Sequence, residues 1–227
     1  MKKFIFSSLF LIFSASLLFI ATSVAIAKKP VSLQSIVQDN FNTYTDGSVV
    51  GQGIWTSYAN GNNFIVQGTT VREGTKALHN SSLADSVITK TGTALTDGRQ
   101  AVYVRTENRS NWGLYPDGNV QVRLSQGQSF ASSIFVAVSF KSDGHVAYYD
   151  PINDVYQNFA TYNDNQWTLL QIEWRSTDKT ARYKVNHGKW TNWVVFNGSS
   201  SFASFNNVGF DFVLPSGSGG VYFDSLN

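Results

Sequence analysis

Trp167-Thr168-Leu169-Leu170-Gln171-Ile172-Glu173-Trp174, then Ser176-Thr177-Asp178, then Ala181-Arg182-Tyr183-Lys184-Val185: this stretch decides the fold class. In an extended chain side chains alternate between two faces, so Leu170, Ile172 and Trp174 share one face. Ser176 to Asp178 supplies turn chemistry, and the segment to Val185 returns before Asn186-His187-Gly188 turns again. The pattern is a hairpin, and it recurs outward in both directions. Ile134-Phe135-Val136-Ala137-Val138-Ser139-Phe140 leads through Ser142-Asp143-Gly144 into His145-Val146-Ala147-Tyr148-Tyr149-Asp150, a second hairpin signal. Earlier in the chain, valines alternate with polar residues in Ala101 to Arg105, and Val120, Val122 and Leu124 alternate with Gln121, Arg123 and Ser125. Each reads as a half-buried strand. Tyr115-Pro116-Asp117-Gly118-Asn119 is the turn between them. Phe205 to Leu214 and Gly220 to Leu226 supply the last two strands, on either side of Pro215 to Gly219. About a dozen strands result, with no long stretch of helical periodicity, no repeat and no linker. Many short strands with short connections suit a two-sheet sandwich.

The N-terminus reads differently. Lys2 and Lys3 precede an uncharged, mostly apolar run from Phe4 to about Ala21, and Ala25-Ile26-Ala27 offers small residues at alternate positions. Residues 1–27 are therefore expected to be a signal peptide cut after Ala27, which makes the protein secreted. An uncleaved membrane anchor is the alternative, and the Ser and Thr residues in the run weigh against it. Residues 28–37 read as a short polar lead and 38–227 as one domain. Cleavage leaves 15 basic against 15 acidic residues. A neutral chain lacks the clustered cations that phosphate neutralisation needs, which argues against nucleic acid and anionic membranes as partners. The chain has no cysteine, which excludes thiol catalysis, thiolate zinc sites and disulfide staples.

The two ends carry a resemblance. Asp39-Asn40-Phe41-Asn42-Thr43-Tyr44-Thr45-Asp46-Gly47 with Gly51-Gln52-Gly53-Ile54-Trp55-Thr56, and Val221-Tyr222-Phe223-Asp224-Ser225-Leu226-Asn227, resemble the opening and closing strands of bacterial secreted domains, laminin G-like in style, of the concanavalin A-like lectin/glucanase superfamily. The hairpin from Trp167 to Gly188 is similar to that superfamily's tryptophan-led outer hairpin, with His187 interrupting the usual Asn-Gly. The resemblance covers residues 38–227 and implies an all-β fold, a two-sheet antiparallel jelly-roll β-sandwich. It also implies a structural calcium joining a carboxylate near the first strand to one in the last, for which Asp39 and Asp224 are the candidates. Capping of a strand or turn is the alternative for both.

Catalytic patterns are thin. The superfamily's hydrolases carry a Glu-x-Asp-x-x-Glu strand, whereas the only glutamates here are Glu73, Glu107 and Glu173, none in such a motif. Arg105-Thr106-Glu107-Asn108-Arg109 resembles the arginine strand of one alginate lyase family, but Gln171-Ile172-Glu173 has glutamate where that family's histidine stands, and its tyrosine motif is missing. His79, His145 and His187 are isolated, without zinc-site spacing.

Glycan binding needs rings for sugar C–H faces, flanked by amides and charges for hydroxyls. Trp55, Trp167, Trp174, Phe210 and Phe212 sit in apolar strand patterns and are expected in the core. Trp112 and Tyr115 in a polar loop, Tyr149, Asp150 and Asn153 after the central hairpin, and the strand arginines Arg105 and Arg123 are the ligand-binding candidates, with Trp190 and Trp193 a further pair. The expected function is a non-catalytic, lectin-like module for extracellular poly- or oligosaccharide. A structural or adhesive protein contacting a cell-surface protein is the alternative, and a lyase or hydrolase with atypical residues is a third.

Overall fold

The computed structural model describes residues 33–113, 118–128, 130–214 and 218–227; the expected signal peptide and Tyr115 lie outside them. Among the described residues fifteen strands form two antiparallel sheets. They are β1 (Gly47–Ser48), β2 (Trp55–Ala59), β3 (Ile65–Gln67), β4 (Ala77–Asn80), β5 (Ser86–Leu95), β6 (Gly98–Glu107), β7 (Val120–Ser125), β8 (Phe135–Phe140), β9 (His145–Asp150), β10 (Val155–Thr161), β11 (Thr168–Arg175), β12 (Thr180–Val185), β13 (Val194–Val195), β14 (Phe205–Phe212) and β15 (Gly220–Asp224). One sheet has eight strands in the order β1-β3-β4-β15-β6-β11-β12-β13, and the other has seven in the order β10-β9-β8-β7-β14-β5-β2. The chain crosses repeatedly between sheets, and this is a jelly-roll β-sandwich.

Alternation explains the layers. Val102 and Val104 of β6, Leu170, Ile172 and Trp174 of β11 and Phe223 of β15 are buried from one sheet, and Val122, Leu124, Val138, Phe140, Phe210 and Phe212 from the other. Phe210 stacks on Phe223 with ring centroids 4.1 Å apart, joining the sheets where their last strands meet. Each fully buried aromatic contributes roughly 2–3 kcal/mol by area removed from water. The expected core tryptophans Trp55 and Trp174 are buried, whereas Trp167 is only half-buried and packs edge-on against Tyr222 on the outer side of the eight-stranded sheet. Residues from the expected lead also enter the fold. Ile36 and Val37 are buried, and the Gln34 and Ile36 carbonyls accept hydrogen bonds from Arg99 N and Thr93 N.

The segment around Asp39 and the last strand's end are tied by hydrogen bonds. Asp39 and Leu226 exchange backbone hydrogen bonds. The Asp39 carboxylate accepts from Tyr44 Oη at 2.6 Å, Trp55 Nε1 at 2.9 Å, Lys90 Nζ at 2.6 Å and Phe41 N at 2.9 Å. Asp224, fully buried, accepts from the backbone of Arg72, Glu73 and Ser225. Burial raises the Asp224 pKa, and the backbone donors counter it.

Those contacts do not fit calcium. Donor hydrogens and the Lys90 ammonium occupy the directions in which a calcium ion would need free lone pairs, and among the described residues no group of three or more His, Asp or Glu is arranged to hold a metal. In this arrangement the two aspartates anchor a loop and a lysine.

Candidate functional site

The outer face of the seven-stranded sheet carries a groove of about 710 Å³ lined by Gln121, Arg123, Phe130, Phe135, Lys141, Tyr149, Asp154, Val155, Tyr156 and Asp211. Its position follows from the strand pattern. Val120, Val122 and Leu124 face the core, so Gln121 and Arg123 face outward from β7, and Asp211 faces outward between core residues Phe210 and Phe212 of β14. The register supplies the space. Arg123 lies opposite Gly209 on one side and Ala137 on the other, while Gln121 lies between Asp211 and Ser139. Small neighbours let the long arginine lie across the sheet.

Arg123 is held by its surroundings. Its guanidinium sits 3.5 Å from the Phe135 ring centroid and 5.2 Å from that of Phe130, and Nη2 donates to Ser132 O at 2.6 Å. Burial lowers its pKa to about 10, so it keeps its charge at neutral pH. Its Nε is buried and has no hydrogen-bond partner among the described residues. The same holds for Asp211 Oδ1. Burial, then the charge of Asp85 and a side-chain hydrogen bond to it, push the Asp211 carboxyl up to about 8, with Arg123 pulling the other way. Asp211 is therefore held toward its protonated form, where a lone carboxylate would readily lose the proton.

Aromatic rings form the other wall. Tyr149 stacks on Phe135 at 5.5 Å and meets Tyr156 at 5.5 Å, and its hydroxyl donates to Asp154 Oδ1 at 2.7 Å. A fixed cation, a protonated acid and amphipathic rings around one groove can accept and donate to hydroxyls while covering a sugar's C–H face.

The candidates named from sequence separate. Arg123 and Tyr149 meet in this groove. Asp150 and Asn153 stand beside it and hold the β9–β10 turn, since Asp150 accepts from Asn153 Nδ2 at 2.7 Å and Ile152 N at 2.9 Å. Arg105 lies on the outer face of the other sheet, donating to Glu107 at 2.9 Å and Asn165 at 3.0 Å above the Tyr222 ring. Trp112 is not a platform: its indole is fully buried, donates to Glu107 O at 3.0 Å and packs edge-on against Phe212. Its polar neighbours in sequence belong to a loop that folds the ring underneath. Asp211, Asp85, Gln121, Phe130 and Tyr156 were missed. For Asp211 the signal was present, because a carboxylate between two phenylalanines of one strand must face outward.

No protein-family model matches the sequence, and no curated protein matches it. Solved structures do match in shape. A sialidase aligns with 12% identity and a TM-score of 0.60 over 86% of this chain, which spans 18% of the sialidase's length. A carbohydrate esterase from Shiga toxin-encoding bacteriophage phi24B aligns with 12% identity and a TM-score of 0.58, over 86% of this chain and 97% of its own. Lectin II from Ulex europaeus aligns with 13% identity and a TM-score of 0.50, over 85% and 99%. The fold they share with this chain is the jelly-roll β-sandwich. At these identities the matches speak for architecture alone, and the chemistry rests on this chain's own groove.

Proposed function

We propose that this is a secreted, non-catalytic carbohydrate-binding module whose ligand lies in the groove over Arg123, Asp211 and Tyr149. One observation carries the reading. Buried polar atoms in folded proteins nearly always find partners, yet Arg123 Nε, a donor, and Asp211 Oδ1, an acceptor, on two side chains lining the groove have none among the described residues. A sugar seated over these side chains would bring hydroxyls to them, and the Tyr149–Tyr156 wall would supply the ring contacts. Lectins and carbohydrate-active enzymes among the structural matches support the choice of ligand class.

The groove's carboxylates are Asp154 and Asp211, and neither stands in a Glu-x-Asp-x-x-Glu strand, which favours binding over hydrolysis. The run from Phe4 to Ala21 supports export.

A glycan array probed with the protein and with Arg123→Ala tests the reading. The expected result is binding to a defined glycan set, weakened about tenfold or more in the variant, which corresponds to about 1.4 kcal/mol, with no reducing sugar released. Absence of any glycan signal from folded protein, or release of product, overturns it.

A further inference from the structure

The outer face of the eight-stranded sheet holds a second constellation that the groove does not use. Glu173 lies directly opposite Arg99 of β6 and Arg182 of β12, pairing with Arg99 Nη2 at 2.7 Å and Arg182 Nη2 at 2.8 Å. The segment after β12 folds back along it, with Thr191 N donating to Tyr183 O at 2.9 Å, and lays two indoles among the cations. Trp190 takes Arg99 at 5.2 Å, Arg182 at 4.7 Å and Lys184 at 5.1 Å, and Trp193 takes Arg182 at 4.6 Å and Arg175 at 4.0 Å. Arg175 also pairs with Asp178.

Depth separates Glu173 from the cations. The Glu173 side chain is 9% exposed, whereas those of Arg99 and Arg175 are 39% and 42% exposed, that of Arg182 is 27%, and the second carboxylate, Asp178, is 41% exposed beside Arg175. One carboxylate is submerged beneath the guanidiniums, and the other is paired with Arg175 at the surface. Stacking on an indole uses a guanidinium's flat face and leaves edge N–H groups for planar anions. Arg99 and Arg182 stand two strand spacings apart, roughly 10 Å, so the cations form a row and not a single pocket. The row is a local positive excess on a chain that is neutral from Lys28 onward.

We propose that this row is a second binding face, separate from the groove, that takes a linear acidic polysaccharide. Carboxylates of the chain would meet the guanidinium edges and Lys184, and sugar rings would lie along the exposed parts of Trp190 and Trp193. Its attraction acts at longer range than hydrogen bonding and is weakened by salt.

The test is affinity electrophoresis and calorimetry with polygalacturonate at low and physiological ionic strength, using the wild type, Lys184→Glu/Arg175→Glu, and Arg123→Ala. The structure predicts binding by the wild type that weakens with salt, a loss of about tenfold or more in the double variant, and no change in Arg123→Ala, the last separating this face from the groove. Duplex DNA is the comparison polyanion and is expected to bind at least about tenfold more weakly. If the double variant fails to melt cooperatively, Lys184→Ala/Arg175→Gln replaces it. No binding by the wild type, equal binding by a folded charge variant, or equal affinity for DNA overturns the proposal.

Discussion

The two outer faces of the sandwich are built by the same alternation and use charge in opposite ways. On the seven-stranded face one cation and one acid are sunk into a groove, each with a buried atom that has no hydrogen-bond partner among the described residues. On the eight-stranded face the carboxylate of Glu173 is sunk and the cations are layered above it between indoles. Buried groups discriminate by direction, because a misplaced partner leaves a desolvated atom unpaired. Exposed charges discriminate weakly but act over about 10 Å. One face suits a specific, salt-insensitive contact and the other a broad, salt-sensitive one.

Removing the acid from each face should have opposite consequences. Glu173→Ala leaves Arg99 and Arg182 without a counter-charge, and the expected loss is about 2 kcal/mol, reduced from the fully buried case because both arginines reach solvent. Thermal melting should fall by about 4–8 °C. Asp211→Asn removes a carboxyl that burial and Asp85 disfavour, and is expected to leave stability equal or higher; a comparable loss there would erase the contrast.

A smaller effect is a pH dependence belonging to the groove face alone. Asp211 has a folded pKa of about 8, above its ordinary value, so the native state holds a proton that the unfolded chain releases. Stability from this group is present at low pH and declines as pH rises from about 4 to 8. Urea midpoints should record that decline, and Asp211→Asn should flatten it. An unchanged slope in the variant would place the effect elsewhere.

Smaller again is the response to metal. Because Asp39 and Asp224 already accept from Lys90, ring donors and backbone amides, neither calcium nor a chelator should move the melting temperature. A calcium-dependent rise would show that the two ends hold an ion after all.

Strand alternation made much of this legible before the fold was known. Val122 and Leu124 inward put Arg123 outward, and the hairpin around Gly144 fixed where Tyr149 would stand. What sequence does not carry is cross-strand register. Nothing local tells that Gly209 and Ala137 flank Arg123, or that Asp85 reaches Asp211 from the loop before β5. β10 was missed because it is an edge strand without clean alternation, its residues mostly half-buried or exposed, and Tyr156 went with it. Trp112 misled for the opposite reason: polar neighbours suggested an exposed ring, while the interior of the sandwich offered Phe212 to cover it.

Amide chemical-shift mapping of the full domain, titrated with a neutral glycan taken from the array, tests the central claim most directly. The account predicts shifts concentrated at Gln121, Arg123, Ala137, Tyr149, Tyr156 and Asp211, with Arg99, Arg182 and Trp190 unmoved. Shifts confined to the eight-stranded face, or to neither face, would contradict it.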